Sequence, residues 1–287
     1  MKVFLDWVLS QRYWLVLIAV VLLPVLPPVS AALLALDTMH RGNLHGSVTA
    51  AIGVAVMAVL GVVAGGEFVR IAMLAVVTMF AGVGIGALLR WAAGLGLGFQ
   101  AMVLVCVVVV TAVGLFGPEP SVLMQPLRTE LAEILRANGF PQEGLDALPA
   151  YDTMIFALLA GVVFAQLVAV MFLSYWWLAM LHAEIEFGSE FRRLKLGRVL
   201  GIPAMVLISF GLVIDSPLVQ NLAFLVLFAF LFQGLAVVHA WVHAKRWQPL
   251  LWFVYILLIV PWTWLGLSAV GLLDNVFNLR APLHARS

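Results

Sequence analysis

The sequence predicts an all-α, polytopic helical transmembrane bundle, and three observations carry that prediction. Of 287 residues, 64% belong to the apolar set and 10% are charged, whereas soluble domains sit near half apolar and a quarter charged. Mean hydropathy is +1.13, and apolar runs of spanning length recur from end to end, which excludes a soluble globule and a single-span anchor. Within those runs the apolar residues continue on all sides with no period-2 alternation, which excludes a barrel. Lys plus Arg number 15 against 14 Asp plus Glu, so no bulk positive charge is available to hold nucleic acid. The single cysteine, Cys106, lies inside an apolar run and supports neither a disulfide framework nor a thiolate metal cage.

A hydrocarbon core of about 30 Å takes about 20 helical residues, and backbone groups in lipid must pair within the helix. Runs at about 46–64, 68–89, 99–117, 153–178, 198–214, 218–241 and 250–272 satisfy this, giving about seven full spans in one membrane domain, 1–287. The first apolar run, Tyr13 to Leu36, differs because Pro24, Pro27 and Pro28 interrupt it. Each proline removes a donor and clashes with the preceding turn, so two half-helices are expected, about 13–23 and 29–39. They form either one bent span or a re-entrant hairpin; a signal segment with Val29-Ser30-Ala31 before its cut is a third alternative.

Orientation follows from Lys and Arg. The densest cluster is Arg192, Arg193, Lys195 and Arg198; placed in the cytoplasm, it brings Arg41, Arg90, Lys245 and Arg246 to the same side. The link 118–151 and the Asp215-Ser216-Pro217 turn then lie outside. A re-entrant N-terminal hairpin keeps Lys2 and Arg12 inside, and is the favoured reading for that reason. The tail from Asp274 to Ser287 is expected outside. Tyr13, Trp14, Trp91, Tyr151, Tyr175, Trp176, Trp177, Trp241 and Trp247 fall near the expected headgroup levels, as interfacial anchors do.

Two links carry structure of their own. In the outer link 118–151, Leu123, Leu127, Leu131, Ile134 and Leu135 recur at helical spacing opposite Arg128, Glu130, Glu133 and Arg136, and Asn138-Gly139 before Pro141 is a helix stop. It reads as an interfacial helix, or as a lid over an outward-facing cavity. In the basic link 182–198, Phe187, Phe191 and Leu194 form an i, i+4, i+7 stripe, and Glu190 can pair with Arg193 one turn on. Phe187, Phe191, Arg192, Arg193 and Lys195 are its candidate contacts with anionic lipid or with a membrane or cytoplasmic protein partner. His182, Glu184 and Glu186 spread round a helix at i, i+2, i+4, so no metal and no cofactor is expected.

Gly61/Gly65, Gly82/Gly86 and Gly94/Gly98 are small-xxx-small pairs suited to close helix packing inside the monomer or along a homo-oligomer seam. Polar groups at depth are few: Gln166, Gln233 and Thr111 within their spans, Asn221 and His239 nearer the borders. Gln166, Gln233, Thr111 and His239 are the candidate binding residues, although interhelical hydrogen bonding satisfies an amide without any ligand. Glu67 and Arg70 are expected to pair. No charged residue falls at the centre of an expected span, which argues against a pump, a channel filter or a voltage sensor. No His-Glu-x-x-His, no Gly-x-Ser-x-Gly and no intramembrane aspartate pair is present, so no enzyme activity is nominated.

Three stretches, Pro-Pro-Val-Ser-Ala-Ala-Leu-Leu-Ala-Leu-Asp-Thr-Met-His-Arg-Gly (27–42), Ala-Asn-Gly-Phe-Pro (137–141) and Glu-Phe-Gly-Ser-Glu-Phe-Arg-Arg-Leu-Lys-Leu-Gly-Arg (186–198), resemble the YybS-like family of bacterial predicted integral membrane proteins. That family is distantly similar to the substrate-binding S components of energy-coupling-factor transporters and to the cell-shape membrane protein MreD. The resemblance implies a multi-pass protein of the bacterial inner membrane and no catalytic residue. S components often dock their coupling subunit through an Ala-x-x-x-Ala pair, which Ala31 and Ala35 match. Two functions follow as expectations: binding or transport of a small solute, with any energy source on another subunit, or a membrane assembly scaffold; a membrane-embedded enzyme is a distant third.

Overall fold

The computed structural model describes residues 1–64 and 67–284, and the regular structure among them is entirely helical. In chain order the helices are α1 (Lys2–Ser10), α2 (Arg12–Leu22), α3 (Pro27–Arg41), α4 (Asn43–Ala64), α5 (Glu67–Ala92), α6 (Leu95–Phe116), α7 (Pro120–Ala137) and α8 (Gln142–Asp146). They continue as α9 (Asp152–Leu181), α10 (Phe187–Arg192), α11 (Gly197–Val213), α12 (Pro217–Lys245), α13 (Pro249–Leu257), α14 (Pro261–Phe277) and α15 (Ala281–His284). Among the described residues, five helices are long and apolar enough to cross a membrane, or up to seven if the bent pairs α1–α2 and α13–α14 each count as one span. Gly65 and the side chains of Glu67 and Arg70 lie outside the described residues, and with them the expected Gly61/Gly65 contact and Glu67–Arg70 pair.

The chain, read from sequence as one membrane domain, folds as two compact units. The first comprises Met1–Met102 and Ala165–Leu194, the second Val103–Phe164 and Lys195–Ser287. In the first unit the prolines break the N-terminal run as expected: α2 stops at a turn closed by Leu26 N–H on the Leu22 carbonyl, and α3 starts at Pro27. Ser30 Oγ donates to the Ala19 carbonyl at 2.8 Å, tying the two half-helices together. Ten consecutive α3 residues, Ser30 to Met39, are buried. Glycine explains how so much of one helix can be enclosed: a Cβ at Gly82 would collide with the Ala31 backbone, and one at Gly86 with that of Ala35. The two small-residue pairs therefore face each other, and close backbone approach supplies the attraction.

At the Arg41 end of that helix, Thr49 Oγ1 donates to the buried Asp37 Oδ2 at 2.9 Å, and the Arg41 guanidinium lies 3.5 Å from Asp37 Oδ1. Arg90 Nη1 donates to the Met39 carbonyl at 2.8 Å, and the His40 and His182 rings lie 5.8 Å apart. Arg41, Arg90 and the start of the basic link thus share one end of this unit, as the charge pattern requires.

In the second unit α11 and α12 are joined by the short turn at Ile214–Ser216, and Gly211 packs on Ala223. The expected straight span over 250–272 is instead two helices at 120° to each other. Pro261 ends the first of them, because it lacks the N–H that would continue the ladder. After this reversal α14 runs alongside α12 in the same direction. Leu227 pairs with Ser268, Phe230 with Gly271 and Gln233 with Asp274, and Gly234 and Gly271 bring the backbones together. The C-terminal end of α14 therefore arrives beside the basic link, where Lys195 Nζ donates to Asn278 Oδ1 at 3.3 Å. This overturns the expectation that the tail from Asp274 lies opposite that link: a broken hairpin reverses the chain where one straight helix would have crossed.

Candidate binding site

Of the four residues proposed from sequence as a pocket, Gln166 belongs to the first unit and Thr111, Gln233 and His239 to the second; none of them lines the chamber described below. Thr111 Oγ1 donates to the Val107 carbonyl of its own helix at 2.7 Å. His239 Nε2 and Tyr255 Oη are 2.8 Å apart, joining α12 to α13. Gln166 is exposed on α9. Gln233 is fully buried and bonded on both sides of its amide. Its Oε1 accepts from Leu196 N–H at 2.9 Å and its Nε2 donates to Asp274 Oδ2 at 3.0 Å.

Asp274, with no exposed surface, is also held by Arg280, whose Nη2 lies 2.7 Å from Oδ2 and whose Nε lies 3.2 Å from Oδ1. Beside them Asn275 Nδ2 donates to the Gly197 carbonyl at 3.1 Å. This network ties the start of α11, the middle of α12 and the end of α14. A buried bidentate pair fixes the geometry of these helix ends, and beside it Asn275 Oδ1 is buried without a hydrogen-bond partner.

Four of the residues proposed as partner contacts, Ala31, Ala35, Phe187 and Phe191, pack inside the first unit. Ala31 and Ala35 are sealed against Gly82 and Gly86, so they present no free docking face. Phe187 and Phe191 stack at 6.0 Å and turn inward on Phe172, with Phe191 edge-on to it at 5.2 Å, and Leu194 is wholly buried. α10 is only six residues long. The ion pair formed there is Arg192 with Glu186, at 3.5 Å, in place of the expected Glu190–Arg193 contact. Arg193 and Arg198 are exposed.

A chamber does exist, at the opposite end of the second unit. It measures about 560 Å³ and is walled by the C-terminal end of α6 with the starts of α7, α9 and α12. Val110, Val113, Phe156 and Leu218 supply apolar surface; Glu119, Ser121, Asp152, Thr153, Ser216 and Asn221 supply polar groups. Local sequence explains the shape. Gly117-Pro118-Glu119-Pro120 cannot continue α6, and the chain turns to begin α7 with Pro120 at its first position. α7 then runs to Ala137, stopped by Asn138 and by Gly139 at φ 79°, as its sequence signals require. Ser216 precedes Pro217 at the start of α12 in the same manner.

Arg128, on α7, pairs with Asp152 Oδ2 at 2.6 Å, tying the amphipathic link to a residue of the chamber wall. Asp152 Oδ1 and Asn221 Oδ1, both buried in its wall, have no hydrogen-bond partner. The sequence singled out Asn221 as a polar group at depth; Asp152, between the link 118–151 and the expected span 153–178, was not singled out. Among the described residues no group of three or more His, Cys, Asp and Glu could hold a metal ion.

The fold and this chamber define an all-helical bundle with apolar helices of membrane-crossing length. No family model, no curated protein and no solved structure matches the chain.

Proposed function

We propose that the chain is a multi-pass protein of the bacterial inner membrane that binds a small solute in the 560 Å³ chamber, as a binding or transport component. The chamber is the single observation that carries this reading. Its volume lies in the range of small-molecule sites, and it combines apolar walls with a few polar groups, as such sites do. Positive residues mark the cytoplasmic side. Lys195 and Arg198 stand at the start of α11, while the chamber lies by the turn that ends it. Its mouth then faces outward, with α7 beside it as the lid. The resemblance to the YybS-like family, and through it to S components, implies the same location and task. With no nucleotide-binding motif in the sequence, any energy source belongs to another subunit.

The test is recovery of the solute. Small molecules released from chain extracted in lipid nanodiscs are compared by mass spectrometry with those from Thr153→Trp, which fills the chamber. A compound retained by the wild type and lost from the variant is expected; identical profiles contradict the reading. The assembly-scaffold alternative rests on the exposed Arg193 and Arg198 of the basic link, and co-purification of wall-synthesis or division proteins would favour it.

A further inference from the structure

We infer that the solute is a small protonated amine with an apolar body, an assignment that deepens the solute-binding reading and rests on it. Asp152 and Asn221 are 4% and 3% exposed. Each has a side-chain oxygen buried in the chamber wall without a hydrogen-bond partner. Unpaired buried acceptors cost stability, and natural proteins keep few of them without a reason. Here two line one chamber, and both lack the same thing, a donor. The terminal torsions of Asp and Asn are broad, so a modest rotation presents either oxygen to an incoming N–H.

The surroundings reinforce the preference. The chamber lining contains no Lys or Arg. Arg128 reaches Asp152 from outside the lining, and with Glu119 the site holds two carboxylates against one guanidinium. Three helices begin here, and helix starts ordinarily favour anions. Two features counter that. Glu119 stands just before α7, without a side-chain cap hydrogen bond, and Asp152 opens α9, so acidic residues already sit at these helix starts, while α7 and α12 begin on Pro120 and Pro217, which have no N–H to offer. An alkylammonium brings three donors and one positive charge. It can satisfy Asp152 Oδ1, Asn221 Oδ1 and the Ser216 or Thr153 hydroxyl together, leaving its carbon body against Val110, Val113, Phe156 and Leu218.

The experiment uses full-length protein in nanodiscs and three probes of similar size: 2-phenylethylammonium, 3-phenylpropionate and 2-phenylethanol. Binding is read by calorimetry and by the shift in unfolding temperature. The amine is expected to bind more tightly than the acid by tenfold or more. Asn221→Leu, which keeps the volume and removes the unpaired acceptor, should fold normally and weaken the amine about tenfold or more, the loss expected for a hydrogen bond to a charged group. Preferential binding of 3-phenylpropionate that Asn221→Leu weakens would overturn the amine assignment while leaving the solute-binding reading standing. Amine binding indifferent to Asn221→Leu, or no binding of any probe, would also overturn the assignment; whether the chamber holds a solute at all is decided separately by the Thr153→Trp comparison.

Discussion

Replacing Arg280 by Leu tests a buried bidentate ion pair in the second unit. The substitution leaves the Asp274 carboxylate, fully enclosed, with the Gln233 amide but without its bidentate guanidinium. Removing one partner of a buried pair costs about 3–5 kcal/mol, because the remaining charge is uncompensated. Asp274→Leu should destabilise as well, because it takes the carboxylate away from Arg280, which is 4% exposed. Replacing both removes the uncompensated charge and takes its acceptor from the Gln233 Nε2 group, a loss of about 1–3 kcal/mol. The double variant is therefore expected to be more stable than either single one. Reversible unfolding in mixed micelles, run as a double-mutant cycle, measures this coupling. A single-variant cost under about 1 kcal/mol, or simple additivity, would refute the argument that this network holds the ends of α11 and α14 to α12.

Other perturbations test other contacts. Gly82→Leu drives a side chain into the Ala31 backbone and should destabilise the first unit by about 1–3 kcal/mol or more; Gly266→Ala, which meets nothing within 4 Å, should change stability by under about 1 kcal/mol in the same unfolding assay. Arg128→Met strands the buried Asp152 and should cost about 1.5–3 kcal/mol, with faster proteolysis of the 118–151 link as the independent readout. In a Cys106→Ser background, cysteines placed at Arg198 and at Phe277, next to the Lys195–Asn278 contact, should react with an impermeant thiol reagent from the same side of the membrane. Labelling from opposite sides would contradict the reversal at Pro261.

Much of the architecture was legible because it follows from local rules. Prolines at 24, 27 and 28 divide the first apolar run where the structure divides it, and Asn138-Gly139 ends α7. The Gly82/Gly86 spacing announced a close helix contact, though not that Ala31 and Ala35 were its other half. What stayed hidden depends on the third dimension. The sequence gives Gln233 a need for partners but does not say that Asp274, read as an outer tail residue, returns to it, because that requires the broken hairpin at Pro261. Likewise, Asp152 is far in the chain from Ser216 and Asn221, and only the convergence of the starts of α9 and α12 brings them to one chamber. Buried charge was therefore underestimated: Asp37, Asp152, Asp274 and Arg280 are all enclosed at helix ends, where sequence hydropathy reads them as solvated borders.

Electron cryomicroscopy of the full chain, extracted from its own membrane into lipid nanodiscs, tests the central claim most directly. Non-protein density beside Asn221 and Asp152, enclosed by Val110, Phe156 and Leu218, is the result expected. A chamber closed on itself, with Leu218 and Phe156 in contact across it, would contradict the account.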